Sequence, residues 1–496
     1  MIKKFIESKL LYAKAVSIFL ISPIAYFAPL GEWLILSLIS ISSLAYFLLD
    51  KFKIHFKYIL FFMSTIFIVC LSYFWSINQA LTLKVIGPVS GIILAIFITL
   101  FISKHEKIMG FERLIGIPLI ITSICILFDL VLNTEIRSTL AKIAGDEPTS
   151  LSGNYGRGII VLNIIMPISM ALFLNYKNKL MAIVVFLLVS TITWIGPNET
   201  AKITLICSYL SMIIIYFLGP RVFYYFGIVS FAWILFIPIT SIKFIPSISN
   251  FEYKIEKNVP CAQLTRSAIV HNFSYYYENK SKLIIIDDDN LKSVWNINTY
   301  STKIKPSELI EAYEKGNTIV GESKHQGNDN DICTKKQNWQ ELFSLSSIIH
   351  RFLVWEYVGA EILKKPLLGN GIGTSRVIGQ KVILKVPRSS MKSESEEQFR
   401  FQEIKGAIPL HPHNNFLEIW LELGLIGIIM LLIIWTRIIK YGINLRKKSY
   451  YLGTGYCTSI VSIFIVANLS FGFFQAWWMS TIALVFLIII NSVKSN

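Results

Sequence analysis

The feature that most constrains this chain is a series of long runs almost free of charged residues. Backbone N–H and C=O groups have no water to bond in hydrocarbon, so such runs can only be helices that satisfy themselves. About 20 apolar residues cross the hydrocarbon core. Twelve candidate spans follow, at 11–30, 33–50, 58–75, 84–103, 113–132, 158–175, 179–196, 201–218, 222–241, 412–436, 450–470 and 475–492. Of the 496 residues 54% are hydrophobic and 16% charged, with a mean hydropathy of +0.57. A water-soluble chain of that composition could not cover its surface with polar groups. The expected fold class is an all-α polytopic membrane protein of about 12 transmembrane helices. The first span lacks a small-residue cleavage site and is followed by more spans, so no cleavable signal peptide is expected.

Short loops set orientation through Lys and Arg. With the N-terminus inside, alternate loops and the two ends hold 19 basic residues, among them Lys51, Lys53, Arg113, Lys177, Arg221, Arg437 and Lys447. The opposite short loops hold 5: Lys84, Arg137, Lys142, Arg157 and Lys202. That asymmetry places both termini in the cytoplasm of a bacterial inner membrane. It also accounts for the net charge of +16 without nucleic acid, which is not an expected partner.

Three segments result: 1–241 with spans one to nine, 242–410 as one large loop facing the periplasm, and 411–496 with spans ten to twelve. The loop is close to charge balance, with 23 basic and 19 acidic residues. Such a long insertion must itself be folded or functional, and it is expected to be mainly helical. From Trp339 the pattern SLSSIIHRFLVWEYVGAEILKK repeats apolar residues at helical spacing and stops at Gly-rich LLGNGIG. Residues 322–338 are polar, and 386–405 are charged and expected to loop over the surface. Cys70, Cys125, Cys207 and Cys457 fall in spans. Cys261 and Cys333 fall in the loop, where a disulfide and two separate thiols are both open. No Cys or His spacing indicates a metal. The run Asp287-Asp288-Asp289 after Leu283–Ile286 reads as a solvated turn. Nothing resembles a P-loop or a dinucleotide fingerprint.

The most informative stretch runs from His411 through Pro412, His413, Asn414 and Asn415 to Glu418, Glu422, Gly424 and Gly427. Two imidazoles and two carboxamides lie at the mouth of a membrane helix, with Pro412 suited to its start. Polar groups at a membrane edge are expensive and usually functional. A neutral His can take a proton from a hydroxyl, and a helix N-terminus favours an anion. Arg351 and Trp355 share a helix face at i,i+4 spacing, and Arg suits bidentate contact with phosphate oxygens. The Gly run 369–373 after Pro366 could approach a phosphate or simply stop a helix. At the outer start of the sixth span, Asn154-Tyr155-Gly156-Arg157-Gly158 places a third basic group.

The pattern H-x-H-N-x-x-L-x-x-x-x-E-x-G-x-x-G at 411–427 resembles the signature of the O-antigen ligase and polymerase superfamily. Arg351 and Trp355 resemble that family's R-x-x-x-W element, Pro366–Gly373 its P-x-x-G-x-G-x-G, and Arg157 its N-R-G-like element. The large loop just before the signature helix matches the family's architecture. The resemblance implies a metal-independent, inverting glycosyltransferase without cofactor. Its donor is a glycan on polyprenyl diphosphate, and its acceptor is lipid A-core or a second lipid-linked glycan. It implicates His413 as catalytic, Arg351 on the diphosphate, and His411, Asn414, Glu418, Trp355 and Arg157 in substrate binding. Many members carry Ser-Arg-Gly or Ser-Arg-Thr between spans seven and eight. Here the run is Pro197-Asn198-Glu199-Thr200-Ala201-Lys202, so Lys202 replaces a forked charge with a point charge, and Glu199 is available to orient an acceptor. A transporter remains the alternative from another class, and it requires charged or broken helices at mid-membrane.

Orientation is directly testable. A single cysteine introduced at Ser390 should react with an impermeant maleimide in intact cells with a permeabilised outer membrane. One at Lys447 should not. The reverse pattern inverts the topology.

Overall fold

The computed structural model describes residues 2–50, 56–102, 110–132, 139, 151–196, 198–243, 345–378, 383–387, 401–405, 408 and 410–494. Its body consists of α1 (Ile2–Phe19), α2 (Ile21–Phe27), α3 (Glu32–Asp50), α4 (Phe56–Trp75), α5 (Gln79–Ile102), α6 (Phe111–Val131), α7 (Leu151–Asn175), α8 (Lys179–Ile195), α9 (Glu199–Leu218) and α10 (Pro220–Lys243). After the first part of the large loop come α11 (Leu345–Lys364), α12 (Asn415–Lys448), α13 (Tyr450–Leu469) and α14 (Ala476–Lys494). The chain is a polytopic helical membrane protein. Large apolar side chains such as Leu60, Phe67, Leu83, Leu187 and Phe217 stay exposed on its outside, a surface suited to lipid rather than water. α7, α13 and α14 are the most enclosed spans, and α4 and α5 the least.

Ten helices among the described residues are long and apolar enough to cross a membrane. The pair α1–α2, bent by 41°, makes an eleventh. The expected count of about 12 is reached only if α8, an apolar helix of 17 residues, is also a span. Its packing says what it does. Asn178, which caps it, donates its N–H to Phe173 at the end of α7, and Gly196 past its end packs on Ile159 near the start of α7. α8 therefore returns the chain along most of α7, over about 26 Å at 1.5 Å per residue. It delivers Asn198, the cap of α9, against Gly156.

α12 is the unusual element. The sequence suggests one uninterrupted span beginning at Pro412, but the helix begins at Asn415, because Asn414 takes the capping role. Asn414 Oδ1 accepts the N–H groups of Phe416 and Leu417 at 3.0 and 3.1 Å. Ten residues on, the helix breaks at Gly424, with φ 61° and ψ −157°. The two pieces, 415–423 and 425–448, are far from collinear. Phe464 of α13 has its ring centroid 5.3 Å from Phe416 and 5.5 Å from Trp435. Those two residues would lie about 28 Å apart on a straight helix. Trp420 and Trp435 likewise donate to Ile234 O and Ser230 Oγ, one turn apart on α10. The piece 415–423 thus folds back toward the level of Trp435.

A broken helix leaves backbone groups without partners, and in this interior they must be satisfied. The segment after α11 does so. Leu425 and Ile426 donate N–H to Pro366 and Leu367 O, while Asn370 and Gly371 donate to Leu421 and Glu422 O. Backbone meets backbone, so side chains are excluded. A Cβ on Gly369, where φ is +70°, would lie 2.7 Å from Glu422 C and O, and one on Gly424 would overlap Leu367 O. On the other side Ile77 N–H donates to Asn370 O at 3.0 Å, and Thr82 Oγ1 to Ile372 O at 2.8 Å. Residues 366–373 are thereby wedged between α12 and the α4–α5 turn. The Gly run does end α11, with Gly369 N–H donating to Lys365 O, and it does more. It is a plug in a membrane helix.

Of the remaining loop, Ile383–Pro387 and Phe401–Lys405 pair as a two-stranded antiparallel hairpin, with Lys385 opposite Glu403. The stretch read as surface loop is therefore strand at both ends. Cys261, Cys333, Asp287–Asp289 and 322–338 lie outside the described residues.

Gly424→Ala should destabilise the folded protein by about 1–3 kcal/mol, since it combines left-handed φ with overlap. Gly87→Ala in α5, where an added Cβ meets nothing within 4 Å, should be neutral or stabilising by up to about 1 kcal/mol. Thermal unfolding in detergent compares the two.

Candidate active site

Several helix ends meet on the face from which the large loop departs: the ends of α4, α8, α10 and α13, and the starts of α5, α7, α9, α12 and α14. The turn 411–414 lies among them. His413 adopts φ 55°, an uncommon conformation for a residue with a side chain, and three contacts hold it there. Its N–H donates to His411 Nδ1 at 3.2 Å, its Nδ1 bonds Ser470 O at 2.9 Å, and Trp355 Nε1–H donates to Pro412 O at 3.1 Å. A carbonyl can only accept, so His413 carries its proton on Nδ1 and its lone pair on Nε2. The two rings lie 4.4 Å apart, centroid to centroid, at 67°.

The loop after α13 anchors this arrangement. Asn414 Nδ2 donates to Asn468 O and Oδ1, both at 3.2 Å. Asn415 donates to Phe471 O at 2.5 Å and accepts from Trp478 Nε1 at 2.7 Å. Glu418, buried on the first turn of α12, accepts the N–H of Phe473. A Cβ on Gly472 would lie 3.0 Å from Glu418 Oε1 and 3.1 Å from His411 Cβ, so these three pack together. Asn414, expected to bind substrate, has its side-chain oxygen and amide engaged in capping and in the bond to Asn468. With the N–H groups of Phe416 and Leu417 taken by Asn414 Oδ1 and that of Glu418 by Asn414 O, the helix N-terminus offers its dipole but few free donors.

Positive charge converges on His411. Burial, then His413, Arg157, Arg376 and Arg351, push its pKa down to about 3, so the ring is neutral at physiological pH. Arg351 and Trp355 do share a face of α11, and that face addresses the 411–412 turn. Burial lowers the pKa of Arg351 from its ordinary value, yet a guanidinium remains a cation in proteins. Arg157 lies with its guanidinium 5.8 Å from the Trp477 ring centroid, a cation–π arrangement. The Lys202 N–H donates to Asn198 O at 3.3 Å. Its side chain pairs with Glu199 at 3.5 Å, one turn beyond Asn198.

Arg376 escaped the sequence reading, which stopped at the glycines. It ends a short 3-10 turn, Thr374–Arg376, that hangs from Glu422. The two Glu422 oxygens accept the N–H groups of Gly373 and Ser375 at 2.7 and 3.0 Å. The sequence signal was there: an isolated Arg just past a Gly-rich stop, in a stretch leading back to the membrane. Ser470 was missed as well, because a backbone acceptor leaves no mark on its own side chain. Among the described residues no group of three His, Cys, Asp or Glu is placed to hold a metal.

Glu422→Leu should leave two buried N–H groups unpaired, at about 1–3 kcal/mol each, and release the turn bearing Arg376. Glu422→Gln keeps one acceptor oxygen and should cost about half as much. Unfolding of the two variants in detergent measures the difference.

No protein-family model matches the chain. It is similar to proteins of three Rickettsia species described as "Putative polysaccharide ligase". It is 33% identical to that of Rickettsia conorii over 135 residues, 27% of this chain and 29% of the relative. For Rickettsia felis it is 33% over 135 residues, covering 27% and 30%. For Rickettsia prowazekii it is 28% over 147 residues, covering 29% and 32%. The matched part thus spans about three tenths of these relatives.

Proposed function

We propose that this protein is a ligase-type glycosyltransferase. It moves a glycan from polyprenyl diphosphate to a sugar hydroxyl at the outer face of the inner membrane. The observation that carries the reading is the His413 tautomer: Nδ1–H is fixed on Ser470 O, and the ring stacks edge-on against His411, on which three arginines act. His413 Nε2 takes the proton of the acceptor hydroxyl. The hydroxyl oxygen attacks the anomeric carbon opposite the diphosphate, the carbon–oxygen bond to phosphate breaks, and the configuration inverts. Arg351, Arg157 and Arg376 stabilise the charge gathering on the departing diphosphate. Cleavage of the diphosphate linkage drives transfer, so neither nucleotide nor metal takes part in this reading. The names of the Rickettsia relatives, polysaccharide ligases, agree with this class of reaction.

Lipid A-core is the favoured acceptor, with membrane lipids surrounding the body. A polymerase would use a second lipid-linked glycan on the same geometry. The lipopolysaccharide of a deletion strain separates the two: free core for a lost ligase, core with a single repeat for a lost polymerase. The transporter reading draws on broken helices, and α12 is broken. Its break, however, is filled by residues 366–373 with paired backbone, and Asp129, its deep carboxylate, accepts from Tyr26 Oη at 2.8 Å. Both features favour a closed body over a pathway.

His413→Ala should remove detectable transfer, since general-base help is worth about 10²–10⁴-fold, while the protein still folds. Arg351→Lys keeps charge but loses the fork, and should also lose most activity. The assay uses purified variants, undecaprenyl-diphosphate-linked donor and acceptor, with EDTA present. Full activity of His413→Ala under those conditions overturns the assignment.

A further inference from the structure

The two histidines of the 411–413 turn carry opposite tautomers, and we infer from this that His411 is a hydrogen-bond donor to a diphosphate oxygen, not a second base. The inference rests on the glycosyltransferase reading for the identity of the anion. His411 Nδ1 accepts the backbone N–H of His413 at 3.2 Å. An imidazole nitrogen that accepts holds its lone pair there, so in the neutral ring the proton is on Nε2. His413 is the mirror case, with Nδ1–H on Ser470 O. The roles cannot be exchanged without breaking one of these bonds.

Arg157, Arg351 and Arg376, one each from α7, α11 and the turn after the glycine plug, all act electrostatically on this ring. The charged groups near it also include Glu418, which shares the surroundings of Gly472 with the His411 Cβ and accepts the N–H of Phe473 on Oε2. A proton added to His411 would join three guanidinium cations. A neutral ring among them adds a directional donor to the anion the arginines attract, without adding a fourth charge. The same ring also ties down the backbone of His413. One side chain therefore holds the base on its Nδ1 side and the leaving group on its Nε2 side.

Two isosteric variants separate these tasks. The Asn amide oxygen reaches where Nδ1 stands, and the Gln amide nitrogen reaches where Nε2 stands. In full-length protein in nanodiscs, farnesyl diphosphate is the probe. His411→Gln should bind it within about 3-fold of the parent, and His411→Asn should weaken it about 10-fold or more, as expected for a lost hydrogen bond to a charged group. Rescue by Asn and not by Gln means that His411 only holds the turn, and overturns the inference. Imidazole ¹⁵N NMR on the unliganded protein gives a readout independent of any substrate. His411 should show Nδ1 unprotonated and remain neutral at pH 5.5. A ring that is protonated on Nδ1, or cationic at that pH, overturns the inference while leaving diphosphate binding intact. Absence of farnesyl diphosphate binding in the parent, with the expected NMR pattern, instead removes the diphosphate reading and with it the assigned ligand.

Discussion

The structure depends on one backbone arrangement, the closure of residues 366–373 on the break in α12. A helix interrupted inside a membrane body is costly unless every freed N–H and C=O finds a partner. Here the partners come from a strip of chain rich in glycine, whose lack of side chains allows two backbones to touch. Much of the proposed site hangs from that contact. The short piece 415–423 can turn back only because Gly424 is left-handed, and turning back brings Glu418 under the 470–473 loop. That loop in turn supplies the carbonyl that sets the His413 tautomer. Glu422, from the same piece, holds the turn that presents Arg376.

The site is thus organised by carboxylates and carboxamides. Asn414, Asn415, Glu418 and Glu422 are spent on backbone or indole N–H groups. The proposed substrate groups, the arginines and imidazoles, are a different set. Such a division suits a membrane interface, where a loop would otherwise be held only by its own ends. Preorganised donors and acceptors cost no rearrangement when charge develops.

The helices were legible in sequence because hydropathy over 20 residues is a property of each segment alone. The signature at 411–427 and the Arg351–Trp355 pair were legible as local patterns of residue type and spacing, although their partners, such as Ser470 for His413 and Pro412 for Trp355, lie far along the chain. The break at Gly424 was not. Leu423 and Leu425 flank it, so the run reads as unbroken, and the groups that fill the gap come from more than 50 residues upstream. The capping role of Asn414 was not legible, because its type suits both capping and ligand contact, and only the start of the helix at Asn415 reveals the cap. Arg376 has no helical periodicity around it, and its one local mark was its place just past the Gly-rich stop.

The plug also changes what kind of object the large loop is. Residues 345–378 are not a detachable appendage, because α11 packs on α10, with Gly359 against Pro238 O, and the glycines fill α12. Exchanging loops between related chains would therefore succeed or fail by where the cuts fall. A graft replacing residues 244–344 keeps the plug with the helix it fits. One replacing 242–410 as a block pairs a foreign strip with a native break, and asks two backbones that never diverged together to fit within hydrogen-bonding distance. A side chain added to the strip or to the break meets the other's backbone, so a change in one calls for a matching change in the other.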